Sequence, residues 1–198
     1  CFSGRKGAAI HLEKNLPVAS GIGGGSADAA AALRGLSALW DEPIPDVAAQ
    51  LKLGADVPVC VQGGMVEMRG IGEVISPLSG INPLPLVLVN PNVSVSTPVI
   101  FRALSSKENP PIGKQESGVW DWISDQRNDL QAPAIAVKPV IATALDQIDR
   151  TDSMLARMSG SGATCFGVYQ NEKAAAAAAR EISKAYPEWW VQTTRLTT

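Results

Sequence analysis

A chain of 198 residues, 45% hydrophobic and 18% charged, has the make-up of a folded globular protein with a sizeable core. A net charge of -2 without any extended basic cluster excludes the electrostatic footprint of a nucleic-acid or anionic-membrane binder. Cys1, Cys60 and Cys165 show no CxxC spacing and His11 is the single histidine, which leaves no basis for a zinc site, a disulfide framework or a His-based triad. The apolar neighbours in "VPVCVQGG" and "ATCFGVY" read as surroundings of buried, reduced thiols. With no signal-peptide pattern and no apolar run long enough to span a bilayer, the expectation is a cytoplasmic protein with no membrane partner.

In chain order, "GAAIHLEKN" alternates as a strand over residues 7–15, with Ile10 and Leu12 on one face. A glycine loop follows, then a helix over about residues 26–39, with Leu33, Leu36 and Trp40 as its apolar stripe and Ser26 or Asp28 as its cap. "PDVAAQLKLG" predicts a short helix ending at Gly54, and residues 56–78 read as strands separated by "QGG" and "RGIGE" turns. Pro/Gly-rich "PLSGINPLP" marks a boundary ahead of a buried strand at residues 84–89, and Thr97-Pro98 opens a helix. Residues 105–118 read as a polar loop, and "DWISDQRNDL" and "PVIATALDQID" as helices. "LARMSGSGATCFGVYQ" is a glycine-rich turn into a strand at residues 164–169; "EKAAAAAAREISKAY" is a close-packing helix and "WWVQTTRL" a terminal strand. Irregular alternation in two halves gives an α+β class with domains at 1–83 and 84–198.

Three segments carry chemistry. "GIGGGSA" places four glycines in five residues just before a helix, where unpaired N–H groups and the positive end of the dipole attract anions and small residues admit a phosphate. It lacks the Lys-Ser/Thr pair of a Walker A loop. It also departs from the dinucleotide fingerprint, because Ser26 stands where the third glycine belongs; Asp41 nevertheless lies at a suitable distance, so a dinucleotide module stays open beside a ligand-free tight turn. Asp56 in "LGADVPVC" is an acid among apolar residues, either a proton or hydrogen-bond acceptor or a simple turn cap. "MSGSGATC" sets Gly160 and Gly162 around Ser161, a phosphate-type turn or only a tight one.

In this order the segments resemble the GHMP kinases, the galactose, homoserine, mevalonate and phosphomevalonate kinases. "LPVASGIGGGSADAAAAL" is similar to their second motif and "RMSGSGATCFGVY" to their third, and "LGADVPVCVQGG", "GIGEVISPL", "VSTPVIF" and "RNDL" extend the likeness. The resemblance implies a two-domain fold, a ribosomal-protein-S5-like N-terminal domain and a ferredoxin-like C-terminal one, with the active site in the cleft between them. It implies ATP and Mg²⁺ as cofactors, transfer of the γ-phosphoryl to an alcohol, and a small substrate carrying a cytidine diphosphate, in a monomer or homodimer. On the matching positions, Pro17, Val18, Ala19, Ser20, Gly21, Ile22, Gly23, Gly24, Gly25, Ser26 and Ala27 would form the ATP loop, with Lys14 near the nucleotide and Ser26 able to meet Mg²⁺. Asp56 would be the catalytic base or hydroxyl-orienting group, and Thr97 and Phe101 would line the cytidine side, where a phenyl ring can stack on a pyrimidine. The plainer alternatives are a solvated Lys14, a helix-capping Thr97 and a core Phe101. The family's first motif, a Lys-x-Asn strand followed by Asp-Gly-Tyr-His, has no counterpart in "CFSGRKGAAIHLEKN", so the expectation is a fragment that does not turn over alone.

Overall fold

The computed structural model describes Phe2 and residues 7–18, 20–80, 82–113 and 118–196, so Cys1 and Ala19 lie outside the described residues. The chain divides into two compact units, Cys1–Asn15 with Gly23–Ser79 and Leu16–Ile22 with Gly80–Thr198.

In the first unit, helix α1 spans Gly24–Trp40, two residues earlier at its start than periodicity predicts. Neither Ser26 nor Asp28 caps it; the N-cap is Gly23, and Asp41 ends the helix in a left-handed conformation with its N–H on Ser37 O. Helix α2 (Val47–Leu51) is capped by Asp46, whose carboxylate accepts the Ala49 N–H at 2.8 Å. Residues 56–61, read as strand, together with Gln62 of the expected turn, instead form helix α3 (Val57–Gln62). Pro58 sits in its first turn, where a missing N–H costs nothing, and burial of Val57 and Pro58 overrides the β-preference of the valines. Strands β1 (Val66–Arg69) and β2 (Val74–Pro77) form where strands are expected, and they pair antiparallel. The strand expected over residues 7–15 does not form: Ile10 and Leu12 are exposed, and no ladder partner supports the segment among the described residues.

The second unit is built on β3 (Leu84–Asn90), whose Val87 and Val89 are fully buried. Helices α4 (Thr97–Arg102), α5 (Val119–Ser124), α6 (Gln131–Val137) and α7 (Val140–Asp149) follow, then β4 (Leu155–Met158), β5 (Cys165–Val168), α8 (Glu172–Ala185) and β6 (Trp190–Leu196). The sheet order β4-β5-β3-β6, antiparallel throughout, is the split βαβ arrangement of ferredoxin-like folds. Helix α7 packs on β4 and β5, and α8 on β3 and β6. The alanine run of α8 serves close packing, with Ala175, Ala178 and Ile182 buried; Asn171 caps the helix by accepting the Ala174 N–H at 2.9 Å.

Two expectations in this unit change. The helix read over residues 121–130 stops at Ser124, and further on the Asn128 side chain accepts the Leu130 N–H at 3.0 Å and gives the backbone a turn instead of helix. Strand β4 occupies residues assigned to the glycine-rich turn. The described part of the loop predicted at 105–118 is irregular, and residues 114–117 lie outside the description. The α+β class stands, and both sheets are antiparallel, so a dinucleotide module, which needs parallel βαβ units, has no frame among the described residues. No described helix is long and apolar enough to cross a membrane.

Candidate active site

The glycine loop is shared by the two units, and its parts meet different surroundings. Gly23 takes φ 68° and its carbonyl accepts the Ala27 N–H at 2.9 Å, the first turn of α1. The N–H groups of Gly24, Gly25 and Ser26 therefore precede the first intrahelical bond. No side chain caps them and no acidic residue stands in the first turn. That end of α1 is open to an anion. Lys14 is not simply solvated, since its ammonium pairs with the Asp28 carboxylate of α1. Ser26 Oγ lies 3.6 Å from where a β-carbon on Gly54 would sit, two residues before Asp56.

Asp56 occupies the N-cap position of α3, yet its exposed carboxylate makes no capping bond. The reading of Asp56 as a turn cap is thereby set aside. Helix α3 is held to α1 partly by Arg34, whose guanidinium donates to Cys60 O at 2.9 Å. The half-buried Cys60 thiol is pushed up, first by burial and then by the Asp56 charge, while Arg34 acts the other way. Cys60 is thus only partly enclosed, whereas Cys165 is fully buried and pushed up to about 12 by burial. Both are free thiols.

In the second unit, residues 20–21 lie against the turn 158–164. Thr164 N–H donates to Ser20 O at 3.1 Å, and Ser159 Oγ donates to Gly21 O at 2.8 Å. Gly21 has φ 76°, and a β-carbon there would meet Ser159 O at 2.5 Å and Gly162 O at 2.6 Å. Gly160 is equally constrained, its β-carbon position lying 2.8 Å from Gly21 O. The base of the turn is tied by a buried bond from Asn90 Nδ2 to Thr164 Oγ1 at 2.9 Å. Ser20 is itself buried, Pro17 is half-buried and Val18 is 77% exposed.

Thr97 and Phe101 share α4. The residue at the N-cap is Ser96, so Thr97 is not a cap; its hydroxyl meets Ser161 Oγ at 2.7 Å, linking α4 to the glycine turn. Phe101 is 47% exposed, which contradicts a core role and leaves an aromatic surface available. Sequence reasoning gave no role to Asn128, Ser159 or Asn90, which hold the second turn. The signal for the first was present, since Asn128 lies in the quoted "RNDL".

The first unit thus offers an uncapped glycine helix start and an exposed carboxylate, and the second a glycine turn, features that suit phosphate chemistry, while the antiparallel sheets lack the parallel frame of a dinucleotide module. The comparisons with known proteins narrow the class. The family model "GHMP kinases N terminal domain" matches residues 1–64, and "GHMP kinases C terminal" matches residues 117–188. The chain belongs to the GHMP kinase family, a family of ATP-dependent small-molecule kinases. It is 50% identical to a 4-diphosphocytidyl-2-C-methyl-D-erythritol kinase of Cereibacter sphaeroides (strain ATCC 17025 / ATH 2.4.3), over 98% of this chain and 72% of that protein. It is 53% identical to the enzyme of the same name from strain ATCC 17029 / ATH 2.4.9, again over 98% of this chain and 72% of the relative. A crystal structure of 4-(cytidine 5'-diphospho)-2C-methyl-D-erythritol kinase superposes with a TM-score of 0.78 at 32% identity, covering 94% of this chain and 70% of that one.

Proposed function

We propose that the protein transfers the γ-phosphoryl group of ATP to the 2-hydroxyl of 4-diphosphocytidyl-2-C-methyl-D-erythritol, a step of non-mevalonate isoprenoid synthesis in the cytoplasm. The observation that carries this reading is the 50% and 53% identity to enzymes named for that substrate, over 98% of the chain. In this reading residues 1–83 form the ATP-binding domain and residues 84–198 the second domain. The residues Pro17 to Ala27 form the nucleotide loop, the open N–H groups of Gly24, Gly25 and Ser26 take phosphate oxygens, and Lys14 stands near the same nucleotide. Asp56 accepts the proton of the attacking hydroxyl or holds that hydroxyl in line; its freedom from capping supports the role. Thr97 and Phe101 line the cytidine side, where the exposed phenyl face offers a stacking surface.

Mg²⁺ would be held by the Ser26 hydroxyl together with nucleotide phosphates and water, neutralising charge on the transferring group. Among the described residues no group of three or more His, Cys, Asp or Glu side chains forms a resident cation site. That donor set suits a metal that arrives with the nucleotide.

The test is ADP release by the full-length protein with the cytidine substrate, homoserine, mevalonate and galactose supplied separately. Turnover with the cytidine substrate alone is the expected result, and equal turnover with another alcohol would overturn the substrate assignment. In the same assay Asp56→Asn keeps its ATP affinity and loses about 10²–10⁴ in rate. A variant with wild-type turnover removes Asp56 from the chemistry.

A further inference from the structure

We propose that Asn128 is a positioning residue for nucleotide binding, its carboxamide setting the second glycine turn and, through that turn, the backbone of Ser20 and Gly21. The inference rests on the kinase reading above and adds a residue to it.

Asn128 lies between α5 and α6, where no core position requires it. Its Nδ2 donates to Met158 O and to Gly160 O, both at 2.8 Å, while its Oδ1 accepts the Leu130 N–H at 3.0 Å. Two donors and one acceptor are thus used at once, a pattern that a primary amide supplies and a carboxylate or hydroxyl does not. The two carbonyls bracket Ser159, whose hydroxyl donates to Gly21 O at 2.8 Å. The same turn puts Gly160 against Gly21, and its Thr164 N–H on Ser20 O at 3.1 Å. Hydrogen bonds therefore run from Asn128 through the turn to the residues immediately ahead of Ile22 and Gly23. Gly21 sits at φ 76° between backbone atoms of Ser159 and Gly162, so it has no freedom to absorb a shift of the turn. A loosened turn releases the Ser20 and Gly21 backbone of the proposed nucleotide loop, and the contacts that loop makes to the nucleotide lose their geometry.

A plain structural staple would lower stability without singling out one ligand. A positioning residue changes nucleotide affinity, spares the alcohol substrate and acts jointly with Ser159. In the full-length protein, Asn128→Ala is expected to weaken binding of a fluorescent ATP analogue about tenfold, the equivalent of one to two lost hydrogen bonds. The KM for ATP rises by the same factor, and the KM for the alcohol substrate stays within about threefold. Ser159→Ala weakens the analogue in the same way, and the double variant is no more than about twofold worse than the poorer single one, because both act on one contact. Additive effects, unchanged affinity for the analogue, or an equal rise in both KM values would overturn the proposal. Should Asn128→Ala fail to fold, the isosteric Asn128→Asp, which keeps the Leu130 bond, replaces it in the cycle. Failure of both to fold would make the carboxamide a folding element and overturn the proposal too. A wild-type protein that binds no nucleotide overturns the kinase reading and the inference with it, whereas wild-type binding with unaffected variants overturns the inference alone.

Discussion

The two parts of the glycine loop use the same residue for opposite reasons. At Gly21 the absent side chain makes room for protein: backbone atoms of Ser159 and Gly162 stand where a β-carbon would be, and φ is 76°. At Gly25 nothing lies within 4 Å of the β-carbon position and φ is not in the left-handed region. The fold itself therefore requires glycine at the first position and not at the second. A run of glycines is a mixture of packing residues and access residues, and only the surroundings tell them apart.

The sharpest break between them is expected in stability. Gly21→Val places a branched side chain against backbone carbonyls at 2.5 and 2.6 Å and opposes the positive φ. Neither the turn nor the loop can yield without breaking the Ser159 and Thr164 bonds, so unfolding free energy should fall by about 3 kcal/mol or more. Denaturant unfolding measures it; a loss below about 1 kcal/mol would show that the loop and the turn separate freely.

Gly25→Val should do the reverse. Valine in the first helical turn is no worse than glycine, so stability stays within about 0.5 kcal/mol. Nucleotide affinity should fall at least about tenfold, because the side chain blocks charge-assisted bonds from the open N–H groups. Calorimetric titration with ATP decides the matter, and unchanged affinity would reduce this stretch to a helix start.

Much of this was legible from the residues. The apolar run of β3, the helical segment of α7 and the helix propensity of the α8 alanines are each local signals that tertiary packing merely uses. Residues 56–61 misled because "VPVCV" carries β-branched residues, while the proline that opens α3 matters only once packing on α1 is known. The exposed Ile10 and Leu12 show the converse, an alternating pattern without a partner ladder. The site was legible as motifs and not as geometry. Nothing in "MSGSGATC" reveals that its serines reach Gly21 and Thr97, contacts 138 and 64 residues apart in sequence.

Phe101→Ala separates the nucleotide loop from the cytidine side. The ring is 47% exposed, so its loss costs little packing. The KM for the cytidine substrate should rise roughly tenfold to a hundredfold, as expected for one lost aromatic stack, and the KM for ATP should not move. Steady-state kinetics with each ligand varied in turn gives the split. An equal rise for both would place Phe101 in the support of α4 rather than on the substrate.

The pH dependence of one buried thiol is the cleanest probe of how dry the packed side is. Cys165 follows Thr164 directly, pairs in register with Met158 and is fully buried, its thiol donating weakly to Ile141 O and Ala163 O at 3.9 Å. Burial holds the thiol protonated up to about 12 in the folded protein, whereas in the unfolded chain a cysteine titrates near ~8.5. Between these values the unfolded state has lost a proton that the folded state keeps, so raising the pH favours unfolding. The contribution of Cys165 is complete below about pH 8.5 and declines by about 1.4 kcal/mol per pH unit as the pH climbs toward the folded value. Tyr169 is likewise pushed up, chiefly by burial, so the wild-type slope alone does not isolate the thiol. The difference between wild type and Cys165→Ala does, since every other group is common to both. Urea unfolding between about pH 8 and about pH 10 should show the stability advantage of wild type over Cys165→Ala shrinking as the pH rises. A pH-independent difference would mean that water reaches the thiol, and that the turn holding Gly21 is less tightly closed than its hydrogen bonds imply.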